Sequence, residues 1–98
     1  MSNGIYEPLL VVQQSVTTTP AALSNIPANA VRALITVETQ NIRFSDFAPP
    51  TTSFGLPLAK DQPPFPYEGY LDKLMLVAQT GTATVHIAYY GKRPENVQ

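Results

Sequence analysis

A chain of 98 residues is the size of one domain, and with 44% hydrophobic and 13% charged side chains it has material for one core. The formal charge of −1 offers no field for gripping a phosphate backbone, and the lack of cysteine excludes disulfides, thiolate nucleophiles and thiolate metal sites. Ten prolines against five glycines, with many Val and Thr, point to a turn-rich all-β chain.

Residues 1–8 have no basic stretch leading into an apolar run, so they read as a loose arm and not as a signal peptide. No segment approaches the roughly 20 apolar residues of a membrane helix, and a soluble protein first made and used in a cytoplasm is the expectation. Residues 9–17, LLVVQQSVT, predict a strand. Leu10, Val12, Gln14 and Val16 share one parity; Leu9, Val11, Gln13, Ser15 and Thr17 take the other. Ala21, Ala22 and Leu23 lie too close to Pro27 for a helix, because that proline biases Ile26 toward extended backbone. An extended connector carrying Leu23 and Ile26 inward is expected.

Residues 31–39 predict a strong strand, with Val31, Ala33, Ile35 and Val37 on one face and Arg32, Thr36 and Glu38 on the other. Leu34 breaks the pattern. Gln40-Asn41 then reads as a tight turn into residues 42–45, a hairpin without the favoured Asn-Gly pair. Ile42 and Phe44 alternate with Arg43 and Ser45, Asp46 starts a turn, and Pro49-Pro50 removes two backbone donors and forbids helix. Phe54, Leu56 and Leu58 restart the alternation around Gly55.

Six of the ten prolines fall between Pro49 and Pro66. Residues 60–69, KDQPPFPYEG, are therefore a surface loop or a meandering edge, since proline cannot donate to a central ladder. Phe65, Tyr67 and Tyr70 are too many aromatics for a purely solvated loop. Residues 71–78, LDKLMLVA, are apolar on both parities: Leu74, Leu76 and Ala78 on one, Met75 and Val77 on the other. A strand of this kind is central, or has its outer face covered by residues 60–69 or by another chain. Gln79-Thr80-Gly81 makes a turn. Residues 82–90 form the clearest strand, with Ala83, Val85, Ile87 and Tyr89 on one face and Thr82, Thr84, His86, Ala88 and Tyr90 on the other, and residues 91–98 are a polar tail. Six or seven short strands without a helical period predict an all-β fold, either a small barrel or an antiparallel β-sandwich. A jelly-roll-like sandwich is preferred, because the Pro-rich connection suits a crossing between sheets. Residues 1–98 are then a single domain, with 1–8 and 91–98 outside its core.

Catalytic equipment is missing from the pattern. His86 is the one histidine, on a strand face shared with Thr82 and Thr84, and a divalent cation needs three or four ligands. The seven acids come in no arrangement that sets two across a cleft, and Asp46 is explained as a turn residue. There is no G-x-S-x-G, no P-loop and no glycine-rich phosphate cradle. No catalytic, metal or cofactor-binding residue is expected. The scattered basic residues argue against nucleic-acid binding. The aromatics Phe65, Tyr67, Tyr70, Tyr89 and Tyr90 read either as core lids and subunit contacts or as stacking platforms for sugar rings.

Four segments carry a resemblance: AALSNIP at 21–27, NAVRALITVE at 29–38, IRFSDFAPPTTSFGLPL at 42–58 and LVAQTGTATVHIAYY at 76–90. Together they resemble small virion proteins of tailed bacteriophages, over about residues 9–90. Phe47 stands where many of those relatives carry Gly. The resemblance implies a small β-sandwich that sits on or between major structural proteins as capsid decoration, cement or head–tail component. It implies a non-enzymatic protein made in the bacterial host cytoplasm and carried in the virion, without cofactor, membrane or nucleic-acid partner. The partners implied are its own copies, as a dimer or trimer, and a capsid or head–tail protein. Candidate interface residues are Phe65, Tyr67, Tyr70, Met75 and Val77, with the arm before Leu9 and residues 60–69 as contact elements. The alternative is a carbohydrate-binding sandwich using Tyr67, Tyr70 or Tyr90; a small jelly-roll enzyme is a third, weaker reading.

Overall fold

The structure, a computed structural model, describes residues 6–92. Eight strands occur in chain order: β1 (Tyr6–Val16), β2 (Ala21–Ala22), β3 (Ala30–Glu38), β4 (Ile42–Ser45), β5 (Leu56–Leu58), β6 (Phe65–Glu68), β7 (Met75–Ala78) and β8 (Ala83–Lys92). They form two antiparallel four-stranded sheets, ordered β1-β8-β3-β6 and β2-β7-β4-β5. First pairs with last, second with seventh, third with sixth and fourth with fifth. This is a long antiparallel hairpin wrapped into two layers, the eight-stranded jelly roll.

The alternation read from the sequence fills the space between the layers. Ala83, Val85, Ile87 and Tyr89 of β8 face inward with Ala33, Ile35 and Val37 of β3. Ile42, Phe44, Leu76 and Ala78 meet them from the other sheet, and Leu23 is buried in the connector as expected. Tyr89 is the largest fully buried side chain, and its hydroxyl donates to Ser24 O at 2.7 Å, so burial leaves no polar atom unpaired. At the β5–β6 side, Phe44 and Phe65 close the sandwich with ring centroids 5.0 Å apart.

Several expectations are corrected. The ladder starts at Tyr6, opposite Lys92, so residues 6–8 are strand and not arm, and Gly91 and Lys92 belong to β8 and not to a tail. The rest of the expected arm and tail, 1–5 and 93–98, lies outside the described residues. A bulge between Pro8 and Leu10 brings Leu9 against Gly91 and the core, whereas Leu10 is left exposed at the sheet edge. A register shift between Ala30 and Arg32 turns Val31 out to solvent.

β3 and β4 do not form a hairpin. Glu38 pairs with Thr84 in one sheet and Ile42 with Ala78 in the other, so the turn at Thr39 (φ 82°) crosses between layers. Val37 and Ile42 can then both reach the core, from opposite sides. The strand expected over 71–78 begins only at Met75; Leu71–Lys73 is a single 3-10 turn that still buries Leu71. Residues 60–69 resolve as a meandering edge ending in β6, which pairs with β3 alone.

Candidate interaction surface

The β4–β5 connection is built to be stiff. Ser45 Oγ accepts from Phe47 N and Ala48 N, both at 3.3 Å, which turns the chain as it leaves β4. Thr51 and Phe54 exchange backbone bonds at 2.9 and 3.3 Å. Arg43, on the outer side of β4, donates Nε to Thr52 O at 3.2 Å and a terminal guanidinium N–H to Gly55 O at 2.9 Å. Pro50 is fully buried beneath this loop. Gly55 has φ +126°, and a Cβ there would lie 3.1 Å from both Phe44 O and Pro50 Cβ, so only glycine fits.

Upon this frame sit three large apolar side chains that the fold leaves in water. Phe47 is 98% exposed, Leu56 62% and Phe54 55%. Phe54 and Leu56, with Phe44, Ser45, Asp46 and Gly55, line an open hollow of about 430 Å³. Asp46 ties this corner to the other sheet: its Oδ2 accepts from the Tyr67 hydroxyl at 2.7 Å. Burial, with the hydrogen bond and charge of Asp46 added, pushes that hydroxyl up to about 12. Asp46 is thus more than a turn residue. Apolar groups on a pinned loop can be buried by a partner at little cost in ordering entropy.

The expected contact residues are scattered. Phe65 packs against Phe44 with the rings tilted at 45°, at the rim of the core. Tyr67 packs against the core with its hydroxyl on Asp46, and Tyr70 stands exposed beside a smaller hollow near Pro27. Met75 is half-buried. Val77 is 0% exposed and has no surface to offer another chain. Tyr90 lies on the outer face of the first sheet, paired with Arg32, and Tyr89 is inside the core. Of the tyrosines proposed to hold a sugar, Tyr67 and Tyr70 are neighbours, the Tyr67 hydroxyl meeting the Tyr70 backbone, whereas Tyr90 lies apart on the outer face of the first sheet.

His86 Nε2 lies 3.5 Å from Glu38 Oε1 on the outer face of the first sheet. Among the described residues no three His, Cys, Asp or Glu side chains group closely enough to hold a metal ion. Phe47, Phe54 and Leu56 are not among the interface residues expected from the sequence: alternation marks Phe54 and Leu56 only as strand residues around Gly55. The signal for exposure is Pro57, which marks β5 as an edge, and Phe47 itself, a large aromatic between a turn-forming Asp and two prolines. No family model, no curated protein and no solved structure matches the chain.

Proposed function

We propose that this protein is a non-enzymatic structural subunit of a tailed-phage virion that decorates or stabilises the capsid by binding the major shell protein. The observation that carries the reading is the pinned corner exposing Phe47, Phe54 and Leu56. Exposed apolar side chains held on a rigid frame are what a permanent protein contact uses, with aromatics as anchors. The likeness of residues 9–90 to small virion β-sandwiches supplies the kind of partner.

The test is cosedimentation with empty shells assembled from the major capsid protein of the same genome. Wild type is expected to pellet with shells at a fixed stoichiometry. The pair Phe47→Ala and Leu56→Ser should weaken binding on the order of a hundredfold or more, since burying each such side chain is worth about 1.5–3 kcal/mol and every 1.4 kcal/mol is about tenfold. Its melting temperature should stay within a few degrees of wild type, because both side chains are already in water. Absence of shell binding, or binding that ignores the double variant, overturns the proposal.

A further inference from the structure

Four strand edges end the two sheets: β1 and β6 in one, β2 and β5 in the other. A free edge presents unpaired N–H and C=O groups, and proteins that stay apart close such edges with proline, charge or shortness. Three of the four are closed in this way. β5 has three residues with Pro57 in the middle, and β6 has four with Pro66 inside and Glu68 at its end. β2 has two residues, and the Gln14 amide donates to Ala22 O at 2.8 Å and accepts from Ser24 N at 3.0 Å.

β1 is different. It runs for eleven residues, and its one charge (Glu7), its one proline and its bulge all lie within residues 7–10, so that from Val11 to Val16 the edge carries none of these devices. Among the described residues it pairs with β8 alone. Apolar surface also reaches this edge. Val11, 68% exposed, stands opposite Ala88, Ala88 opposite Leu34, and Leu34 opposite Pro66. One apolar row thus crosses the outer face of the sheet and stops, uncovered, at β1.

We propose that β1 pairs antiparallel with β1 of a second copy about a twofold axis through Val11, joining two four-stranded sheets into one of eight strands. A twofold contact needs a patch complementary to itself, and β1 meets that need: its single charge, Glu7, lies near one end and, about Val11, falls opposite Ser15 of the second copy and not opposite its own like. Opposite residues of an antiparallel ladder share a face, so the axis must pass through a residue. Centred on Val11, it sets Val11 against Val11 and Leu10 against Val12, and the two apolar rows run end to end. Centred on Val12, it would set Val11 against Gln13 and break the row; the apolar pattern selects the first register. The strand edge and the Phe47 corner are separate surfaces, so failure of the dimer and failure of shell binding are told apart.

The chain has no cysteine, so single cysteines report the register directly. In the paired dimer the two copies of Val11→Cys have Cα atoms about 4.5–5.5 Å apart, within reach of a disulfide. Ser15→Cys lies on the same face of the same strand, but its two copies are separated by roughly 27 Å along the ladder. Under mild oxidation at micromolar protein, Val11→Cys should become a covalent dimer on the order of a hundredfold faster than Ser15→Cys, because the pair is held and not met by collision. Wild type should sediment as a dimer that dissociates on dilution, and Val11→Lys as a monomer that melts with wild type at dilutions where wild type is itself monomeric. Equal crosslinking at both positions overturns the proposal. So does a wild type that is monomeric at high micromolar concentration, a trimer, or a Val11→Lys variant that loses shell binding while wild type alone is monomeric.

Discussion

Val77→Ala separates a core residue from an interface residue. By parity Val77 points away from the space between the sheets, the position of a side chain that meets solvent or a partner. It is nevertheless 0% exposed in a single chain. Its ladder neighbour Arg43 is bonded to Thr52 O and Gly55 O, and the buried Pro50 lies against Gly55, so the loop of residues 46–55 roofs this outer side. Truncation to Ala removes two carbons, about 0.8 kcal/mol each in transfer alone. The pinned loop cannot collapse into the gap, and a cavity term brings the loss to about 2–3 kcal/mol. In a domain this small each kcal/mol lowers Tm by roughly 4–8 °C, so a fall on the order of 10–20 °C is expected. Melts followed by far-UV circular dichroism at several protein concentrations measure it. The fall should not depend on concentration. A variant that melts with wild type, or whose loss vanishes on dilution, would place the cover on a second copy and refute the reasoning.

Gly55→Ala should destabilise by about 1–3 kcal/mol through its positive φ and the contact with Phe44 O, whereas Gly81→Ala, at φ +59° with open space around it, should lose only the backbone share; urea titration compares the two. The Tyr89 hydroxyl is pushed up to about 12 by burial, so the folded state favours its protonated form. That stability is whole below the unfolded value near 10 and is lost as pH rises from there through about 12, with Tyr67 adding to the same window. Tyr89→Phe should cost about 1–2 kcal/mol at neutral pH, since Ser24 O loses its donor, and should flatten the fall in stability between pH 10 and 12. A slope unchanged by the substitution would show that other groups govern alkaline unfolding.

Local pattern was enough for much of the fold. Alternation in residues 83–89 and 33–37 marked the side chains that fill the core, the spacing of Leu23 from Pro27 marked a buried connector, and the prolines of 60–69 marked an edge. Each of these follows from the two-residue repeat of a strand or the missing N–H of proline, properties carried by a few adjacent residues. Tertiary structure decided the rest, because pairing in a jelly roll joins residues far apart in the chain. Tyr89 reaches Ser24 across 65 positions, and no local pattern announces that bond. Gln40-Asn41 looks the same whether the chain folds back beside β3 or crosses to the other layer; the choice rests with β8 and β7, which already flank the two strands. Alternation also says which residues share a face without saying whether the face is covered. Val77 and Phe54 both lie on apolar stretches, yet the loop fixed by Arg43 roofs one and lifts the other into water. The candidate surface was hidden for that reason: exposure is a property of what packs above a residue, and that is settled only when distant segments meet.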